Sequence, residues 1–118
     1  MRREKTTDYY ELNAYHIMWL FVFFDLPVVT KQQRKQATKF RVNLERDGYQ
    51  MMQYSVYVRH CASMRIMETH IRRLKTFIPE DGLVSVLKVT DKQYSEITNF
   101  YGKVLKIRNE NPKQLEIF

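Results

Sequence analysis

The sequence predicts an α+β fold in which an antiparallel sheet carries two helices on one face. Three observations point there. Residues Ile17 to Pro27 (IMWLFVFFDLP) form an apolar run closed by Asp25 and a proline, the pattern of a central strand buried on both faces. Tyr49 to His60 alternates between two faces, and Leu83 to Thr90 is rich in β-branched residues, so both read as further strands. Between these strands lie two segments whose apolar residues recur at helical spacing.

Residues 1–16 (MRREKTTDYYELNAYH) are polar, mixed in charge and without a period; they read as an N-terminal extension, loose or packed on a partner. The first strand must stop at Pro27, which lacks an N–H and steers Leu26 away from helical geometry. Thr30 followed by Gln33 is a capping box, and the helix it opens runs to about Asp47, where Gly48 supplies the stop. Ala37, Phe40 and Leu44 share one face of this helix; Lys31, Lys35, Lys39 and Arg46 gather on the other, with Arg34 and Arg41 flanking the stripe. In the strand from Tyr49 to His60, Met52, Tyr54, Val56 and Val58 point one way, and Met51, Gln53, Ser55, Tyr57 and Arg59 the other. The second face is mixed, as expected of a half-exposed sheet or of one packed on another protein.

Ser63 caps a second helix, in which Met64, Met67, Ile71, Leu74 and Ile78 form the core stripe and Pro79-Glu80-Asp81-Gly82 closes it. His70 lies at the edge of that stripe as a packing residue. Leu83 to Thr90 follows as a strand, then a short turn at Asp91-Lys92, then a further short strand over Ile97–Tyr101 ended by Gly102. The order strand, helix, strand, helix, strand, with right-handed crossovers, leads to a ferredoxin-like βαββαβ-type sandwich over residues 17–102. Its second face is left uncovered. Met51, Tyr57 and similar side chains there would form an exposed apolar patch, so a homodimer packed sheet to sheet is expected. Residues 103–118 read as a basic linker and a short C-terminal strand, Gln114 to Phe118. Leu115, Ile117 and Phe118 would dock by adding to a partner's sheet edge, unless this end is simply frayed.

At 118 residues, one domain with a single core fits. The net charge of +7 and sequence pI near 9.6 suit a polyanionic partner, or serve solubility alone. One cysteine, Cys61, excludes an internal disulfide and fits a reducing cytoplasm. The apolar run falls far short of the roughly 20 residues a membrane span needs, so a cytoplasmic chain without a membrane partner is expected. No covalent-catalysis constellation is visible: His16, His60 and His70 are scattered, His60 and Cys61 lack zinc-ligand companions, and the three glycines build no phosphate loop.

Asp25 is the one carboxylate in a privileged place, rigid at a strand mouth. Taken alone it reads first as a turn residue. A single carboxylate is a poor cage for Mg²⁺, which uses one or two carboxylates, waters and substrate phosphate. A twofold axis would supply the second Asp25, within about 4 to 5 Å if one ion is shared. Such a site would serve hydrolysis of a phosphodiester.

The residues also carry a resemblance. Phe23-Phe24-Asp25-Leu26-Pro27, then Arg34, Phe40, Gly48 and Gln53-Tyr54-Ser55-Val56-Tyr57-Val58-Arg59, resemble the Cas-two family of CRISPR-associated proteins, especially members that accompany type II systems. The likeness covers roughly residues 17 to 101; the sixteen-residue extension departs from the family, whose first strand usually starts the chain. The resemblance implies a ferredoxin-like homodimer that bridges two dimers of the Cas-one integrase and helps hold double-stranded DNA for insertion into the CRISPR array. It also implies a metal-dependent endonuclease acting on RNA or DNA, with Asp25 as catalytic residue and Mg²⁺ ligand. Lys31, Arg34, Lys35 and Arg59 are the expected phosphate contacts. The alternative is a non-catalytic RNA-binding module of the RNA-recognition type. That module needs exposed aromatics and a glycine-containing motif on its central strands, whereas Tyr54-Ser55-Val56-Tyr57 has no glycine.

Overall fold

A computed structural model describes residues 17–102; the extension 1–16 and the segment 103–118, with Leu115, Ile117 and Phe118, lie outside the described residues. The chain runs β1 (Met18–Asp25), α1 (Lys31–Arg46), β2 (Gln50–Gln53), β3 (Val56–Cys61), α2 (Met64–Lys75), β4 (Leu83–Thr90) and α3 (Asp91–Ser95). The strands form one sheet in the order β2-β3-β1-β4, with every neighbour antiparallel. This is the expected βαββαβ sandwich, and β1 is its central strand.

The core lies between the sheet and the two long helices. Leu20, Val22 and Phe24 of β1 pack with Phe40 and Leu44 of α1, Tyr57 of β3, and Met67 and Leu74 of α2. Burying each such side chain contributes about 1.5–3 kcal/mol. The Phe40 ring meets Phe24 edge-on at 5.0 Å. The α1 capping box forms as expected: Gln33 N–H donates to Thr30 Oγ1, and Gln33 Oε1 accepts from Thr30 N–H. At the other end Gly48 takes φ +91°, where glycine is favoured.

His70 is buried as expected, but it is more than packing. Its Nδ1 lies 2.7 Å from Asp47 Oδ2, and Arg73 donates to Asp47 Oδ1 at 2.8 Å, tying the end of α1 to α2. Burial alone would raise the Asp47 pKa; the His70 and Arg73 partners outweigh it and hold the carboxyl below its usual value.

Four expectations are corrected. The stretch Tyr49–His60 is not one strand but the β2–β3 hairpin, turning at Tyr54-Ser55. The turn contains none of the usual glycine, asparagine or aspartate, and among the described residues no non-glycine residue takes positive φ. A register shift between Met51 and Gln53 absorbs the mismatch. The faces were also exchanged: Tyr57 pairs with Val22 and Met51 with Tyr57, so both point into the core, while the register shift places Gln53 opposite Val56, on the other face from Met51. The uncovered face instead carries Phe21 and Phe23 of β1, Val56 and Val58 of β3, and Leu83 and Leu87 of β4, by strand parity.

Helix α2 ends at Lys75, not near Ile78, which is exposed; Phe77 reaches the core in its place, 5.8 Å from Phe40. No strand forms over Ile97–Tyr101, and Asp91-Lys92 opens a helix. That helix, α3, uses a second Thr-x-x-Gln capping box, Thr90 with Gln93. Its Tyr94 stacks on Trp19 at 3.7 Å, and Trp19 Nε1 donates to Asp91 Oδ1 at 2.7 Å. The strap covers the Trp19 end of the open face and leaves the Phe23 end bare. No helix among the described residues is long and apolar enough to cross a membrane.

Candidate active site

Asp25 is the last residue of β1, paired across the ladder with Leu83, and it is exposed. It shares strand parity with Phe21 and Phe23, so its carboxylate stands at the rim of the open face. The apolar run holds this position, because β1 pairs with β3 as far as Phe23 and with β4 as far as Asp25. Beyond it, Pro27 ends the strand and the loop climbs to Thr30, where α1 begins.

One glycine sets the close approach behind Asp25. Gly82 has φ +101°, and a Cβ there would lie 2.7 Å from the Asp25 carbonyl oxygen and 2.8 Å from Leu26 Cδ2. Gly82→Ala is expected to cost about 1–3 kcal/mol, on the order of 5–15 °C in Tm. A thermal melt superimposable on that of the parent would refute this account of the turn.

Basic side chains gather at the same end. Lys31 and Lys35 are exposed in the first turns of α1, and no acidic residue sits in its first turn, so the positive end of the helix dipole is unopposed. Arg34 donates to the carbonyls of Val28 and Val29 at 3.1 and 2.9 Å, bracing the loop while keeping further N–H groups for a ligand. Arg59 is not part of this cluster. It pairs with Leu20, five residues before Asp25, roughly 16 Å along the strand. Its Nη1 lies 1.8 Å from where a Gly48 Cβ would be, and its Nε is buried without a hydrogen-bond partner among the described residues.

Three residues that the sequence reading left without a role in the site, Arg41, Tyr54 and Ser55, also border it. Asp25, Arg34, Arg41, Tyr54 and Ser55 line one cleft of about 450 Å³. Arg41 donates to the Tyr54 carbonyl, and its guanidinium lies 3.8 Å from the Tyr54 ring centroid and 5.0 Å from that of Phe24. The hairpin turn is also tied to β1, where Phe24 N–H donates to Ser55 O at 3.1 Å. Arg41 was visible as a residue beside the apolar stripe of α1; the missing signal was the turn at Tyr54.

For a metal, the donor set within one chain is incomplete. No group of three or more His, Cys, Asp or Glu among the described residues could hold an ion. Asp25 fits Mg²⁺ only in the manner this ion accepts, as one carboxylate completed by waters, phosphate oxygens or a second carboxylate.

Comparison with known proteins shows the family. The family model for CRISPR associated protein Cas2 matches residues 18–97. A protein of Flavobacterium psychrophilum named CRISPR-associated endoribonuclease Cas2 is 43% identical over 110 residues, covering 93% of this chain and 96% of its own. Proteins of the same name from Parvibaculum lavamentivorans and Paracidovorax avenae are 43% and 41% identical, covering 86% and 91% of this chain and 100% and 99% of their own. The matched span holds both the strand ending in Asp25 and the hairpin that faces it, and the chain belongs to the Cas2 family of CRISPR-associated proteins.

Proposed function

We propose that the chain acts in CRISPR spacer acquisition as a homodimeric bridge between two dimers of the Cas-one integrase, holding double-stranded DNA. We further propose that it cleaves RNA or DNA with Mg²⁺ at Asp25. The observation that carries this reading is the bare apolar end of the sheet with Asp25 at its rim. Phe23, Leu83 and Leu87 are 38%, 66% and 49% exposed, a patch that a second copy would cover about a twofold axis. The same packing would complete the donor set by bringing up the second Asp25. The names of the relatives, endoribonucleases, support hydrolysis of a phosphodiester.

In this reading Asp25 holds the ion, and Mg²⁺ when bound neutralises charge on the phosphate and activates water. Lys31, Arg34 and Lys35 place the phosphate backbone without reading sequence. Arg34 is the most ordered of them, because two loop carbonyls fix its guanidinium.

Replacing Lys31, Arg34 and Lys35 together by Ala is expected to weaken duplex binding. The slope of log affinity against log salt should flatten by about 0.9 for each phosphate that is no longer neutralised. Titrations across a range of salt concentrations test the assignment, and an unchanged slope would remove these residues from the interface. The bridge itself is tested by co-purification with the Cas-one integrase. A dimer that never associates with the integrase, with or without duplex, would overturn the acquisition role.

A further inference from the structure

Tyr54 is the feature that neither the core nor the proposed metal chemistry explains. It occupies a two-residue hairpin turn, where glycine, asparagine or aspartate would ordinarily be found. An aromatic there is 75% exposed. Yet the ring is not loose. Arg41 lies over it at 3.8 Å from the centroid and donates to its backbone carbonyl. Behind the guanidinium stand the Phe24 ring at 5.0 Å and the Tyr57 ring at 6.0 Å. The arrangement is a stack built outward from the core, through Arg41 to Tyr54, with the exposed ring presented to solvent.

We propose that Tyr54 is a stacking platform for an unpaired nucleobase beside the phosphodiester presented to Asp25, and that Arg41 is the positioning residue that holds the platform. Three observations meet in it. Tyr54 and Asp25 border the same cleft, whose roughly 450 Å³ lies within the range of small-ligand sites. The cleft also contains Arg34 and Arg41, so one wall is cationic and suits the phosphate attached to the base. Because Arg41 already fixes the ring, little side-chain freedom remains to be lost when a base stacks on it.

The chemistry selects a single strand. Bases inside a duplex are stacked on both sides and must be unpaired before an aromatic can reach them. A base in a single strand meets the ring directly, and such stacking tolerates any sequence because every base has a π-face. The proposal deepens the nuclease reading of Asp25 by adding a base-stacking residue and its positioning arginine to that site, and it rests on that reading.

The test separates binding from cleavage. In the Asp25→Asn background, with EDTA present, a single-stranded decaribonucleotide carrying 2-aminopurine is titrated with protein. Stacking on Tyr54 is expected to quench the fluorophore. Adding Tyr54→Ala should remove the quench and weaken single-strand binding about tenfold, as expected for loss of one stacked base. Affinity for a blunt DNA duplex should fall far less. Tyr54→Phe should restore both quench and affinity, because the π-face and not the hydroxyl is used, and Arg41→Lys should give an intermediate quench through a less fixed ring. The decadeoxyribonucleotide of the same sequence distinguishes RNA from DNA as the preferred source of the unpaired base. Equal quench and affinity with Tyr54→Ala, in a variant whose thermal melt matches the parent, would overturn the platform. Full cleavage by Asp25→Asn alongside an intact Tyr54 effect would instead place the cleavage away from Asp25 and leave Tyr54 as a single-strand binding site.

Discussion

Asp25→Asn is expected to lower the proposed Mg²⁺-dependent cleavage of RNA or DNA by on the order of 100-fold or more, with the fold and the proposed dimer retained. The substitution keeps the shape and removes only the charge that would hold a divalent ion. Structural side effects should be small, because the Asp25 side chain is exposed and takes part in no salt bridge among the described residues. The backbone of Asp25 stays in the ladder opposite Leu83, so the strand end survives the change. Cleavage rates of purified parent and variant, each with Mg²⁺ and with EDTA, decide the matter. Equal rates for the two proteins would place the activity elsewhere.

The second large effect concerns the open face. Phe23→Glu combined with Leu87→Glu should convert the proposed homodimer into a monomer that keeps its fold. Both side chains project from the face away from α1 and α2, so the core of Leu20, Val22, Phe24, Phe40 and Tyr57 is untouched. A twofold interface doubles every substitution, bringing four carboxylates into a surface that would otherwise be apolar. Each unpaired charge buried there costs several kcal/mol, and even about 3 kcal/mol raises Kd by about 150-fold. Sedimentation velocity at micromolar protein reads the outcome. A variant that still sediments as the parent does would move the interface off this face. The same variant should also lose Mg²⁺-dependent cleavage if two Asp25 carboxylates are needed, which links the two experiments.

Much of the molecule was legible in the order of its residues. The run from Ile17 to Pro27 could only be a central strand, because nothing else of that length buries so many apolar side chains and stops at a proline. The Thr30–Gln33 capping box and Gly48 set both ends of α1, since each signal acts within a few residues and needs no distant partner. Asp25 at a strand end and the basic start of α1, with Lys31, Arg34 and Lys35, followed from those boundaries, as did the family resemblance carried by the same stretches.

What the sequence could not disclose depended on contacts between distant residues. The hairpin at Tyr54-Ser55 has no turn residue to announce it. It is held by Arg41, thirteen positions earlier, and by the Phe24 N–H. Which set of alternating side chains entered the core was likewise decided by register, because periodicity distinguishes two faces but does not say which one the helices cover. Val22 opposite Tyr57 settled it. Arg59, which looked like one more basic residue of a phosphate site, is drawn inward to Gly48. Sequence by itself therefore determined β1, the two long helices, β4 and the carboxylate at the end of β1. The tertiary structure decided which residues stand beside that carboxylate, because local signals fix where a chain bends, while only packing fixes which bends meet.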